Sequence, residues 1–409
     1  MNSDTAAALS LLNSGAVRAR ARQIFKRGLD DGLEHFRIDL RALDAAADLV
    51  AATMRRNYPT LRVPFHARWR HFVYGGRDYY AEAVAGLTDP AARARAAFDV
   101  AFVSVLLDAG AGAQWRYHDP VSGKAIGRSE GLALASLNIV TQGGFSSDPK
   151  ERVRADADKL VGFDAEALRR GFQVTDDNPL VGLEGRAALI AALGRLVAAK
   201  PEVFARHDRP RPGGFFDHLV TKARNGTIAA PTVLSELLLQ FGAIWPSRLT
   251  LGDVPLGDCW RHSAVVAPDV TTGLMPLHKL SQWLAYSLIE PLQEAGFAVT
   301  DIDGLTGLAE YRNGGLFVDA GVLTLRNPED AARAHDVASE LVVEWRALTV
   351  ALLDRLALAL RAAFDLDAAA LPLAKVLEGG SWAAGRELAL QRRADGSPPI
   401  KVVSDGTVF

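Results

Sequence analysis

After Asn327, apolar residues recur three or four positions apart: Ala334, Ala338, Leu341, Trp345, Leu348, Leu352 and Leu356. That spacing puts all of them on one face of a helix. Asn327 suits the cap, Pro328 suits the first turn, and Glu329 and Asp330 favour the positive end of the dipole. The pattern predicts one helix over 328–364. Alanine and leucine dominate elsewhere too. The same reading predicts helices at 4–13, 15–28, 40–57, 91–108, 129–141, 151–160, 165–171, 184–198, 229–243, 277–295 and 380–391. Strand signals are sparse, with Val63 to Phe72 and Ile400 to Val403 each a candidate for a short strand or hairpin. There is no internal repeat. The Gly/Pro-rich joints at 109–127, 209–214 and 252–276 read as loops inside one body rather than linkers. The predicted fold is mainly α: one large helical body over 1–409, with lobes near 1–200 and 201–409 and a few short strands.

With 409 residues the chain can bury a sizeable core, and 49% hydrophobic with 23% charged residues excludes disordered and fibrous classes. Lys and Arg number 46 against 48 Asp and Glu, a net charge of −2. No overall basic field exists to capture nucleic acid or an anionic membrane. The single cysteine, Cys259, excludes an internal disulfide and a multi-cysteine metal cluster. Asp4 precedes the short N-terminal apolar run and no basic segment leads it, which argues against a secretory signal. The most apolar stretch, 347–364, carries Asp354, Arg355 and Arg361 and is too polar to span a bilayer. A soluble, cytoplasmic protein is expected. The basic run Arg18, Arg20, Arg22, Lys26 and Arg27 reads as a solvated helix face. As a nucleic-acid patch it lacks interleaved aromatics.

No P-loop, H-E-x-x-H or G-x-S-x-G occurs, and no two histidines form a close metal-ligand pair on one helix. The informative region is 276–323. In PLHKLSQWLAYSLIEPL, Leu277, Leu280, Leu284 and Leu288 form one stripe, and Lys279, Gln282, Trp283 and Tyr286 lie on another side. That second side reads either as a pocket wall with an anion-binding ammonium, or as a surface lysine passing half-buried aromatics. In VTDIDGLTGLAEYRNGGLFVDAGVL, Asp303 resembles a helix cap before G-L-T-G-L. Gly314-Gly315 is expected to break the chain, with a new helix from about Leu316 to Gly321. The segment thus reads as helix, hairpin, helix. Glu310 stands at the joint, either beside anion-binding amides or paired with Arg312 or a helix end for stability. Asp258, Trp260 and His262 in LGDCWRHS, and Trp382 and Arg386 in GGSWAAGRE, take no assigned chemistry, and Asp405-Gly406 in SDGTVF is a turn signal.

HKLSQW, DIDGLTGLAEYRNGG, GGSWAAGRE and SDGTVF together resemble the uracil catabolism protein four family, along nearly the whole chain. That family is linked to a ring-opening route for uracil through ribosylurea. The same segments resemble, more distantly, the queuosine 5′-phosphate N-glycosidases. Those carry K-R-A-Q, then D-x-D-x-L-T, then A-D-Y-R and a helix ending L-G-V-L. Here Lys279-Leu280-Ser281-Gln282 matches at its lysine and glutamine. Asp301-Ile302-Asp303-Gly304-Leu305-Thr306 follows, then Ala309-Glu310-Tyr311-Arg312 and Ala320-Gly321-Val322-Leu323. Those enzymes are similar to helix-hairpin-helix DNA glycosylases.

The resemblance implies that Glu310 stands where the catalytic aspartate does and Lys279 where a substrate-binding lysine does. Glu for Asp moves the carboxylate out by one methylene, and Gly314-Gly315 replaces the family's Pro-Gln. Both differences point to a smaller leaving group than queuine. Trp115 and Glu130 sit where the salvage family has pocket residues, although Trp115 also suits a core and Glu130 a cap or ion pair. The implied activity is hydrolysis of ribosylurea or its 5′-phosphate. Glu310 would be the catalytic carboxylate, and Asp303, Glu130 or Tyr311 the proton donor. Lys279, Gln282, Trp283, Tyr286, Tyr311, Arg312, Trp115 and Glu130 would surround the substrate. The implied partner is a ribosyl small molecule, with no cofactor, metal, nucleic acid or membrane. Two alternatives are hydrolysis of the ureido carbonyl with release of ammonia, and a non-catalytic helix-hairpin-helix protein that binds nucleic acid or another ligand.

Overall fold

The computed structural model describes residues 3–245 and 249–403. SDGTVF, 404–409, lies outside the described residues. The fold is mainly α, and its strands form only two-stranded pairs of two or three residues each. No helix among the described residues is long and apolar enough to cross a membrane. The described chain falls into two compact units, one of 3–66, 249–282 and 301–403, the other of 67–245 and 283–300.

The first unit is built on the helix Glu340–Phe364. Every residue from Leu341 to Leu353 is buried, so this helix is a central rod enclosed on all sides. Helices Ser14–Leu29, Arg41–Asn57 and Tyr311–Asp319 pack on it. Its start corrects the predicted span of 328–364. Asn327 does cap, but only the 3₁₀ turn Pro328–Ala331. The strand Ala334–Asp336 then pairs in parallel with Lys401–Val403, and helix begins only at Glu340. A distant segment thus takes the backbone bonds that the local pattern had given to a helix. Cys259 is buried with Ala8, Leu11, Leu256 and Leu274, and burial pushes its thiol up.

The second unit is centred on Pro90–Leu106, capped by Asp89 and buried from Ala96 to Leu106. Phe98 and Phe102 pack against Phe215, and Phe241 joins Phe102, Phe204 and Phe215. Arg186 is fully buried, and carbonyls of Leu107, Ala109, Gly110 and Val181 satisfy its guanidinium. Burial draws its pKa down to about 10. Two sequence readings are corrected here. The expected strand at 63–72 is the 3₁₀ turn Arg68–Phe72 leading to a hairpin. The expected helix 151–160 shrinks to Ala157–Val161, because Arg154 bonds Glu151, Asp156 and Asp208 and holds that stretch in an irregular path.

Candidate functional site

Strand Cys259–Arg261 pairs antiparallel with Leu274–Pro276, which brings Asp258 beside the start of the helix Lys279–Glu294. The carbonyl of Asp258 accepts the amides of Leu277 and His278. His278 has φ +48°, a left-handed conformation unfavourable for a residue with a Cβ. Its imidazole Nε2–H donates to the Leu11 carbonyl at 3.0 Å, and burial lowers its pKa. Asp258 Oδ2 then accepts the Lys279 amide at 2.8 Å and so caps the helix. Both oxygens of Asp258 also receive Arg346, at 2.9 and 2.8 Å, and Oδ1 receives Trp260 Nε1 at 2.6 Å. Burial alone would raise this carboxyl. The Arg346 charge and these hydrogen bonds outweigh it and bring the pKa down to about 2.

Arg346 extends the link. Its Nε donates to the carbonyl of Ala309, the residue before Glu310, at 3.2 Å. A second tie runs from the same helix start. Gln282 Oε1 accepts the Thr306 amide at 2.7 Å, and Gln282 Nε2 donates to Thr306 Oγ1. Both residues are fully buried. A third support is Arg18, which donates to the carbonyls of Asp303 and Leu305 and pairs with Asp354 at 2.8 Å. The basic run is therefore not simply a solvated face, because Arg18 is a partly buried brace for the loop.

Glu310 caps the helix Tyr311–Asp319, its Oε2 accepting the Arg312 amide and its Oε1 the Asn313 amide, each at 2.7 Å. The expected break at Gly314-Gly315 does not occur. The helix runs through both glycines, and residues 306–309 ahead of it are irregular, so there is no helix-hairpin-helix here. Glycine serves packing instead: a Cβ at Gly314 would lie 2.8 Å from the Trp345 ring. Asn313 Oδ1 accepts Ser381 Oγ at 2.8 Å. Ser381 ends the π-helical turn Leu377–Ser381, which opens the helix Trp382–Arg392. This gives the GGSWAAGRE segment a position against the Glu310 helix. Arg312 is buried, and its guanidinium lies over the rings of Tyr311 and Trp382 at 5.2 and 5.1 Å.

The first unit thus holds Glu310, Lys279, Gln282, Tyr311, Arg312 and Asp303 on segments tied together by buried polar bonds. Lys279 and Tyr311 are partly exposed. Asp303 does not cap a local helix. Its oxygens accept Arg361 Nη2 and the Leu373 amide, each at 2.6 Å, which anchors the loop. Four other expected site residues belong to the second unit. Trp283 and Tyr286 are buried there, Trp283 with the Arg68 guanidinium 5.5 Å from its ring. Trp115 is a core residue that donates from Nε1 to the Phe172 carbonyl at 2.9 Å. Glu130 lies in the first turn of Arg128–Thr141, near enough for its charge to act on Arg68. Among the described residues no group of three or more His, Cys, Asp or Glu is placed to hold a metal.

Sequence reasoning missed Arg346, Thr306, Asn313 and Ser381, and gave Asp258 no role. One signal was present: Glu344 and Arg346 are the charged residues within the stretch 341–353, and a charge at such a position needs a buried partner.

A family model described as Protein of unknown function (DUF1688) matches residues 10–409. The chain is 38% identical over 419 residues to Protein urg3 of Schizosaccharomyces pombe, with both proteins covered completely. It is 37% identical over 431 residues to Uracil catabolism protein 4 of Lachancea kluyveri, covering 96% of this chain and 97% of that protein.

Proposed function

The chain belongs to the family described as Protein of unknown function (DUF1688), and on that premise we propose that it acts in uracil catabolism as an N-glycoside hydrolase. Its substrate is ribosylurea or the 5′-phosphate, and its products are urea and the sugar. The name of the Lachancea kluyveri relative supports the pathway. The observation that carries the chemistry is the pair of buried ties, Asp258–Arg346–Ala309 and Gln282–Thr306, which hold the segments bearing Lys279 and Glu310 in one unit.

In this reading the Glu310 carboxylate, oriented by two amides, lies beneath the anomeric carbon and stabilises the positive charge that grows there. As the carbon–nitrogen bond breaks, its electrons leave with the urea nitrogen, which takes up a proton. Water adds to the anomeric carbon, and the proton it gives up restores the donor. Tyr311 is the proton donor we assign, since both Asp303 oxygens are engaged by Arg361 and Leu373. Lys279 binds the sugar as a point charge.

The test is product analysis with synthetic ribosylurea and its 5′-phosphate. Glu310→Gln should keep the fold, because its amide oxygen still accepts a helix N–H, and should slow urea release about 10²- to 10³-fold. Full turnover by that variant removes Glu310 from the mechanism. Ammonia in place of urea selects the ureido-group hydrolase instead.

A further inference from the structure

We propose that Arg312, held between Tyr311 and Trp382, is the receptor for a phosphate monoester, so that the substrate is the 5′-phosphorylated ribosyl compound. This rests on the hydrolase reading for the identity of the sugar, but the anion site stands on its own geometry. Arg312 is 6% exposed, and among the described residues no carboxylate lies within ion-pairing distance of it. Its guanidinium lies instead over two aromatic rings, those of Tyr311 and Trp382.

The carboxylates on the helices around it are engaged elsewhere. Glu310 caps the helix through the amides of Arg312 and Asn313. Asp319 holds Arg393, Glu378 holds His66, and Glu387 holds Arg56. A buried cation without a counter-ion is costly, and the cost is relieved when an anion arrives. Neither ring offers an acceptor oxygen to the guanidinium N–H groups, which match phosphate in a two-bond fork. The Arg386 guanidinium also lies 5.9 Å from the Trp382 ring. This gives the tryptophan and arginine of GGSWAAGRE a purpose.

The experiment is thermal unfolding of the full chain with ribose 5-phosphate, inorganic phosphate or ribose, run beside urea-release assays on ribosylurea and its 5′-phosphate. In the wild type, ribose 5-phosphate should raise the unfolding midpoint by several degrees and ribose should not. Arg312→Met should leave the ligand-free midpoint unchanged or raise it, because it removes an uncompensated buried charge. The same variant should abolish the rise with ribose 5-phosphate. Arg312→Lys should restore part of it at most. For the phosphorylated substrate, KM should increase about 10- to 100-fold in Arg312→Met. A lower ligand-free midpoint in Arg312→Met, together with no wild-type response to ribose 5-phosphate, overturns the proposal, as does a response that survives the substitution. Arg312-dependent binding of ribose 5-phosphate without urea release keeps the anion site and rejects the hydrolase. Urea release with equal kcat/KM for both substrates keeps the hydrolase and rejects the anion site.

Discussion

Replacing Arg346 with Met should destabilise the protein by about 3–5 kcal/mol, the usual consequence of leaving a buried charge without its partner. The substitution removes two charge-assisted hydrogen bonds to Asp258, at 2.9 and 2.8 Å, and the bond to the Ala309 carbonyl. It leaves a carboxylate only 6% exposed, with the Trp260 indole and the Lys279 amide as its remaining donors. Against a typical domain stability of about 5–15 kcal/mol, that loss is easily measured by guanidinium chloride unfolding. Asp258→Asn alone should also cost stability, because it removes the charge from the carboxylate that takes both Arg346 bonds. The double variant should cost much less than the two losses added together, because both single changes break the same pair. Acid provides an independent check. The Asp258 carboxyl lies at about 2 in the folded protein, below its ordinary 3.8. A depressed carboxyl gives stability that is fully present above about pH 4 and is lost as pH falls towards 2. The amount is about 2 kcal/mol, and the Asp258→Asn profile should lack it. In Arg346→Met the opposing effect of burial dominates and lifts the Asp258 carboxyl above its ordinary value, so the sign reverses: acid protonates the stranded carboxylate, and the stability gap from the wild type should narrow as pH falls. A cost below about 1 kcal/mol for Arg346→Met, or strict additivity in the double variant, would refute the reasoning.

Gly314→Ala offers a better helix former and should still destabilise by about 1–3 kcal/mol, since its Cβ would sit 2.8 Å from the Trp345 ring. A raised melting temperature would show that the two helices separate easily. Gln282→Leu should cost about 1–3 kcal/mol by leaving the buried Thr306 amide unpaired. It should also slow urea release by loosening the Lys279 and Glu310 segments. Unchanged stability and rate would show that the Gln282–Thr306 tie is dispensable.

Local pattern sufficed where a helix ends on its own signals. The segment 165–171 is helical over the span predicted, with Asp164 as its cap, and 184–198 and 40–57 differ from the observed helices by a single residue at one or both ends. It failed where a remote segment intervenes. Gly314-Gly315 reads as a break because glycine is a poor helix former, yet it is there to admit Trp345. The Lys279, Gln282, Glu310, Tyr311 and Arg312 segment was legible through its motifs. The bonds that hold it were not, since Asp258 and Arg346 are separated by 88 positions.

By itself, then, the sequence determined the helical class, the rod through Leu341 to Leu356 and the segment bearing the candidate acid and lysine. These follow from the 3.6-residue period and from side-chain types, both of which act over a few residues. The tertiary structure alone decided that Glu310 caps an unbroken helix and that the Ala334–Asp336 strand displaces a predicted helical start. It also decided that Asp258 and Arg346 join the two halves of the site. Each of these depends on a buried donor meeting an acceptor from a remote part of the chain, and nothing in the residues between them encodes that meeting.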